Sequence, residues 1–359
     1  MRSKVLVIGG TGFLGQSVVR RLTTRGHLVT LFHRGKTKSE TRTPGLILGD
    51  RNRLSEFRGQ IERVQPEVVI DLIASSADQA YDLIKAVQGI ASRTVIASSG
   101  DVYLANDILN KRLSGSVPAP LVETSSVRSL MYPYRGTGLE KSDWWDPDTY
   151  DKLEVEGAAL SHRAKLPATV LRLPMLYGPG DRNGIKRRFY PFSKRMLDRR
   201  KFILLSQQHT SWRAPWGYID NVAEAFALAV ENKAAADKIY NVCEPGRPTI
   251  VDWLRLVAEI TGWKGRLITG DGPFPAPDSS AQFNLAQDLD MDSTKIRTEL
   301  GYTEIVDRKE ALRRTIEWEA NHPPEYFDRN QFDYLAEDAA LTALVESLPR
   351  QHAHAHQQS

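Results

Sequence analysis

The segment Lys4-Val5-Leu6-Val7-Ile8-Gly9-Gly10-Thr11-Gly12-Phe13-Leu14-Gly15-Gln16-Ser17-Val18-Val19-Arg20-Arg21-Leu22 sets the architecture. An unbroken aliphatic run behind Lys4 predicts a strand buried on both faces, as in a parallel sheet. From Phe13 the period changes: Val18, Val19 and Leu22 make one apolar face of a helix over 13–24, and Gly26 supplies its stop. Gly9, Gly12 and Gly15 stand between the two, spaced by three. A tight strand-to-helix turn needs unusual dihedrals, and a pyrophosphate must approach backbone N–H groups at a helix N-terminus with no Cβ in the way. Gly9, Thr11, Gly12, Phe13, Leu14 and Gly15 are therefore candidate contacts to a dinucleotide.

The alternation continues through the first half. Segments 4–8, 28–32, 45–48, 67–73, 93–98 and 168–173 read as six strands with helical stretches between them. The fold class expected is α/β, a doubly wound parallel Rossmann sheet with a smaller, discontinuous α/β substrate lobe. Segment 221–230 reads as a helix and 238–242 as a strand able to rejoin the sheet, while the Pro- and Gly-rich stretch 270–277 reads as loop. We expect a dinucleotide-binding domain from 1–172 with 213–243, and a substrate lobe from 173–212 with 244–318. A C-terminal helical extension over 319–350 is expected from the spacing of Leu341, Leu344, Val345 and Leu348, followed by a disordered polar tail at 351–359.

Composition narrows the class. The 359 residues are 41% hydrophobic and 26% charged, enough for a large core, and the formal charge of +4 is too small to imply nucleic acid by itself. Cys243 is the only cysteine, which excludes an intrachain disulfide and any multi-cysteine metal site, and suits a reducing compartment. No apolar run approaches the roughly 18 residues of a membrane span. Neither signal peptide nor anchor is read, and a cytoplasmic protein without a membrane partner is expected. His352, His354 and His356 alternate in the tail without a carboxylate or cysteine scaffold, so no metal is assigned.

The glycine turn resembles that of the extended short-chain dehydrogenase/reductase family, which contains sugar-nucleotide epimerases, dehydratases and reductases. Further motifs agree, in the family's order. Gly49-Asp50-Arg51 resembles its adenine-contacting loop, and Ser98-Ser99-Gly100-Asp101-Val102-Tyr103 its active-site serine segment. Leu171-Arg172-Leu173-Pro174, Tyr177-Gly178-Pro179-Gly180, Tyr218-Ile219-Asp220-Asn221 and Leu300-Gly301-Tyr302 extend the likeness to about residue 320. The resemblance implies Asp50 and Arg51 at the adenine, Ser99 on the reacting oxygen, and a homodimer formed through helices near 81–87 and 150–164.

A Rossmann second strand usually ends in an acid that holds the ribose 2′-OH and repels a 2′-phosphate. Here the chain reads Phe32-His33-Arg34-Gly35-Lys36, with two cations and no acid. NADP is therefore the expected cofactor, with Arg34 and then Lys36 at its phosphate, and NAD the alternative.

The resemblance implies hydride transfer assisted by a Tyr-x-x-x-Lys pair, in which the cation lowers the phenol's pKa. This pair is not intact. If Tyr150 is the family's tyrosine, Glu154 stands where lysine should be; if Lys152 is the family's lysine, Asp148 stands at the tyrosine position. The second register is preferred, since Glu156 then follows by four as in many members. Lys152 keeps the ribose role and the proton donor is sought in Tyr150, with Tyr132 and Tyr134 as further candidates. Tyr150 converges with Lys152 only if the helix begins near this point. Asp148 reads either as an acid–base group or as an N-cap paired with Asp151. Asp101 falls where dehydratases of the family carry a glutamate base, but Gly100 replaces its acidic partner, which disfavours dehydration and leaves Asp101 a candidate base.

Between 182 and 201 nine basic residues face the single acid Asp198. Arg187 and Arg188 are chosen as clamps for an anionic small molecule. Tyr103 and Arg213 are further candidate substrate contacts, while Trp212 and Trp216 read as core. The reading is NAD(P)-dependent hydride transfer on a sugar-nucleotide-like or small carbonyl or alcohol substrate, by epimerisation or by simple oxidation or reduction. Its alternative is a redox-inactive dinucleotide-binding or RNA-associated protein of the same fold, although nucleic acid is not the expected partner.

Overall fold

The computed structural model describes residues 2–37, 41–142, 145–181, 187–324 and 329–347. Arg182, Lys186, Leu348, and the tail 351–359 with its three histidines lie outside the described residues. The strands are β1 (Lys4–Ile8), β2 (Leu28–His33), β3 (Gly45–Leu48), β4 (Val68–Asp71), β5 (Arg93–Ser99), β6 (Ala168–Leu173), β7 (Met175–Tyr177), β8 (Phe202–Ser206), β9 (Trp216–Tyr218), β10 (Ile239–Asn241) and β11 (Arg266–Gly270). Seven of them form one parallel sheet in the order β10-β6-β5-β4-β1-β2-β3. The strand order reverses beside β1, which pairs with β2 on one side and β4 on the other. Loops leaving the C-terminal ends of β1 and β4 part there, and that crevice is where such sheets bind ligands.

Strand periodicity sorts the core into two layers. Val5 and Val7 pack with Val18, Val19, Leu22 and Phe226, under helices Phe13–Thr24 and Ile219–Glu231. Leu6 and Ile8 point the other way, to Leu83, Ile84, Val155 and Ala158 of helices Ala77–Val87 and Lys152–Ser161. A third cluster fills the lobe, built on two small parallel sheets, β11-β8 and β7-β9. At its centre the Phe189 ring lies 4.9 Å from Trp216 and 5.3 Å from Trp253. Trp212 and Trp216 are thus core, as their sequence setting indicated.

Helix Phe13–Thr24 has the bounds read from its periodicity. Where boundaries moved, side chains account for it. β4 stops at Asp71 because that carboxylate accepts the N–H groups of Ile73 and Ala74 and turns the chain. The helix expected from Asn221 starts at Ile219, and the Asn221 side chain is buried, holding the backbone of Ile305 and Val306. Within the extension expected over 319–350, the structure has the end of helix Arg308–Asn321, a short 3-10 turn Arg329–Phe332 and a helix Tyr334–Ser347.

Sheet and second layer are joined by a buried ion pair. Arg172 on β6 donates from Nε and Nη2 to the two oxygens of Glu156, at 3.0 and 2.8 Å, and Ser98 on β5 donates to the same carboxylate. Removing one partner of a buried pair strands the other charge at a cost of about 3–5 kcal/mol. Glu156→Leu is expected to lower stability by that order in urea unfolding followed by tryptophan fluorescence. Adding Arg172→Met should recover most of the loss, because no unpaired charge then remains.

Candidate active site

The turn after β1 is as tight as backbone allows. Gly9 has φ +83°, and a Cβ there would meet Ile73 Cγ2 at 2.7 Å. A Cβ on Gly15 would lie 2.2 Å from the Gly9 carbonyl oxygen and 2.7 Å from the Gly10 carbonyl carbon, so this helix packs directly on main chain. Gly12 differs: its added Cβ would find only the Gly9 oxygen, at 3.5 Å. Protein packing does not require glycine at 12. A phosphate approaching the uncapped helix N-terminus does, because a methyl group would stand in its path.

A cavity of about 370 Å³ opens at this turn. Gly9, Thr11, Gly12, Phe13, Leu14 and Gly15 line it, together with Arg34, Lys36, Asp50 and Arg51 from the ends of β2 and β3. No acid stands at the end of β2. The His33 ring, whose pKa burial lowers, accepts the Gly35 N–H through Nδ1 and holds the loop that carries Arg34 and Lys36 along the cavity. Asp50 caps the turn that follows it by accepting the Asn52 N–H at 3.0 Å. Both the cradle and the cations fit a dinucleotide.

Lys152 is the first residue of its helix, and its Nζ donates to the carbonyls of Ala74 and Ala97, at 2.5 and 2.8 Å. Ala74 follows the cavity-lining Leu72 and Ile73. Burial lowers the ammonium pKa to about 8, opposed by Asp71 and Asp101 and aided by Arg51. Two residues earlier, outside the helix, the Tyr150 hydroxyl donates to Asp101 Oδ2 at 2.8 Å and faces Ser99. Tyr134 donates to the same oxygen at 3.0 Å, with its ring 5.1 Å from that of Tyr150. Ser99 Oγ accepts the Asp101 N–H. Burial raises the Asp101 carboxyl, against the pull of both phenols, Arg128 and Lys152. Burial and the facing Asp101 carboxylate both push the Tyr150 and Tyr134 phenols well above 10.

A model described as the NAD-dependent epimerase/dehydratase family matches residues 5–103 and 131–243, more than half of the chain. The chain belongs to the NAD-dependent epimerase/dehydratase family. It is 22% identical over 338 residues to UDP-N-acetyl-alpha-D-glucosaminuronate decarboxylase of Bacillus cytotoxicus, covering 89% of this chain and 98% of that one. A chloroplast stem-loop binding protein of 41 kDa (form b) from Arabidopsis thaliana is 25% identical over 259 residues, 67% of this chain but only 58% of the plastid protein. The structure of Thermus thermophilus UDP-glucose 4-epimerase in complex with NAD superposes with a TM-score of 0.62 at 21% identity, covering 89% of this chain and 99% of that one.

Several expectations for this epimerase/dehydratase family member require correction. Arg51 touches the cavity wall, yet its guanidinium is buried in an ion pair with Asp71 at 2.6 Å and on the Gln79 carbonyl. Asp148 is neither N-cap nor acid–base partner: it is exposed and accepts the Gly136 N–H, while Asp151 caps the helix through the Leu153 N–H. Tyr132 is turned to Glu154 and covered by Arg135, which removes it as donor. Tyr103 is fully buried, bonded to Asn241 and stacked under Arg172, so it cannot touch a substrate. Arg213 reaches Asp288 and the Arg247 carbonyl on the lobe surface. Arg187 is buried against Trp318 and holds the His322 carbonyl. Arg188 is solvent-accessible but hemmed in by protein, facing Tyr134 and Asp181.

The basic run does not make one surface. Arg195 is buried on Glu337, Lys194 pairs with Asp198, and Arg200 pairs with Asp338. Two residues were missed. Arg128 is buried, donating to the Asp101 carbonyl at 2.6 Å and to Asp151 at 2.8 Å, and Asp71 shapes the turn beneath the cavity. Nothing in the local sequence marks Arg128, because its partners lie 23 and 27 residues away.

The two later glycines separate folding from binding. Gly15→Ala should lower the melting temperature sharply, since overpacking against backbone costs about 1–3 kcal/mol or more. Gly12→Ala should keep the wild-type melting temperature and lose pyridine-nucleotide binding, as read by differential scanning fluorimetry with and without NADPH.

Proposed function

We propose that this chain is an NADP-using oxidoreductase or epimerase acting on an alcohol or carbonyl carbon of an anionic, sugar-nucleotide-like substrate. What supports the reading is that Tyr150 and Ser99 both bond to Asp101, while Lys152 Nζ bonds to the carbonyl of Ala74, the residue after the cavity-lining Ile73. A bound nicotinamide nucleotide supplies the hydride acceptor or donor. The protein's own groups do the rest. Lys152 has three N–H donors, two of them on Ala74 and Ala97, so one remains to hold a ribose hydroxyl. Ser99 orients the reacting oxygen, and Tyr150 donates or removes its proton. Arg188 supplies positive charge on the open side, where it faces an anionic substituent.

The decarboxylase and epimerase relatives support a sugar nucleotide as the substrate class. A 2′-phosphate is favoured by Arg34 and Lys36 and by the missing acid at the end of β2. No helix among the described residues is long and apolar enough to cross a membrane. A reducing, cytoplasmic setting and a homodimer through helices Ala77–Val87 and Lys152–Ser161, where Tyr81 is exposed beside His162, belong to the same reading. The stem-loop binding relative favours an RNA-associated alternative, but the basic run's internal ion pairs leave that reading little surface.

Calorimetry distinguishes the cofactors: NADPH should bind at least tenfold more tightly than NADH, and Arg34→Ala with Lys36→Ala should erase the difference. Equal or tighter NADH binding in the parent protein would overturn the assignment to NADP. Binding should also depend on pH. Below about 8 Lys152 carries the charge that attracts an anionic dinucleotide, and that attraction is lost as pH rises through about 8. Affinity is therefore expected to fall across that window, and Lys152→Met should flatten the fall.

A further inference from the structure

Asp101 is the unusual group of this site. Its Oδ2 accepts from two phenols at once, Tyr150 at 2.8 Å and Tyr134 at 3.0 Å. Its Oδ1 is buried and has no hydrogen-bond partner among the described residues. The residue is held from behind, where Arg128 Nε donates to its carbonyl and Ser99 Oγ accepts its N–H. Tyr150 is buried, whereas Tyr134 is only half-buried, sits on the loop that precedes Asp146, and leans on the half-buried ring of Trp145. A line of groups thus runs from the buried phenol of Tyr150, through a carboxylate, to the half-buried Tyr134.

We propose that Tyr134, Asp101 and Tyr150 form a proton relay that connects the reacting oxygen to solvent, with Tyr134 as its outer member. The proposal rests on the assignment of Tyr150 as proton donor and extends it. When Tyr150 gives its proton to the substrate oxygen, a phenolate faces Asp101 Oδ2. The Tyr134 proton passes to Oδ2, the new Oδ2–H passes its proton to the Tyr150 oxygen, and the Tyr134 phenolate takes one from water. One proton moves from solvent to substrate, and each relay group ends as it began. In the oxidative direction the order reverses. A relay is needed because Lys152, with two of its three N–H groups on backbone carbonyls, offers little path of its own. A buried carboxylate with one unpaired oxygen suits the middle position, since leaving that oxygen unmatched favours uptake of a proton.

The charged and titratable groups facing these three are Arg128 and Lys152 for Asp101, and Arg128 and Arg188 for Tyr134; Tyr150 faces the other two members and Ser99. Tyr134→Phe keeps the ring packing and removes only the outer hydroxyl. NADPH affinity should stay within twofold. Steady-state turnover, on whichever of UDP-glucose or UDP-N-acetylglucosaminuronate the parent protein uses with NADP or NAD, should fall about 10²-fold, the lower range for proton transfer by a positioned group. Added imidazole should restore much of it by carrying the proton to Asp101, and the solvent deuterium isotope effect should rise in its absence.

Turnover within twofold of the parent, or a loss that imidazole does not move, would overturn the relay while leaving Tyr150 as donor. Loss of NADPH and NADH binding by the parent would instead defeat the underlying reading. A second measurement needs no substrate: alkaline titration of tyrosine absorbance. Asp101→Asn should bring two phenols to lower pH than in the parent, and one in the Tyr134→Phe background. An unchanged titration in Asp101→Asn would mean that the shared carboxylate does not exist in solution, and the relay falls with it.

Discussion

The contact between Gly15 and the carbonyl of Gly9 is the constraint on which the rest is arranged. At 2.2 Å from a would-be Cβ, the two stretches of main chain leave no room for any side chain. Helix Phe13–Thr24 must therefore start directly against the end of β1, with its first-turn amides aimed into the crevice where the strand order reverses. The glycine-turn cavity opens at that helix end. The loops after β2, β3 and β4 close around it, and Ile73 from β4's exit fills the space beside Gly9.

A second arrangement sets the surroundings of Tyr150 and Lys152. Helices of this family carry tyrosine and lysine one turn apart, a spacing this chain lacks. Instead, the helix is made to begin at Lys152 by the Asp151 cap, and Asp151 is held by the buried Arg128 and the Tyr132 N–H. Tyr150 then lies at the end of the turn before the helix, its N–H on the Asp146 carbonyl, and its hydroxyl reaches Asp101 from there. The helix start thus replaces the missing spacing. It also brings the Asp101 carboxylate next to the Tyr150 phenol, an anion where the resemblance implies mainly a cation.

The lobe shows how a charge run misleads. Arg187 and Arg195 lie under aromatic rings or on buried carboxylates, covering apolar surface with their stems while their guanidinium groups are hydrogen-bonded internally. A linear count of cations has no access to the partners that neutralise them, since Glu337 is 142 residues from Arg195. Only Arg188, among the residues chosen there as clamps, keeps an accessible side chain near the site.

What the sequence alone determined were the features written into neighbouring residues: six strands of the central sheet, the first helix with its bounds, the glycine turn, and the cations at the end of β2. Each depends on a period or a spacing within a dozen residues, so it is legible in one dimension. Ser99, Tyr150 and Lys152 were named from motif order, but not their convergence. That was left to tertiary structure, as were the internal roles of Arg51, Tyr103 and Arg187, the surface position of Asp148, and the joining of Tyr134 to Tyr150 through Asp101. The physical reason is common to all of them. A side chain's role here follows from which polar group it must satisfy, and the partners lie 12 to 142 residues away along the chain.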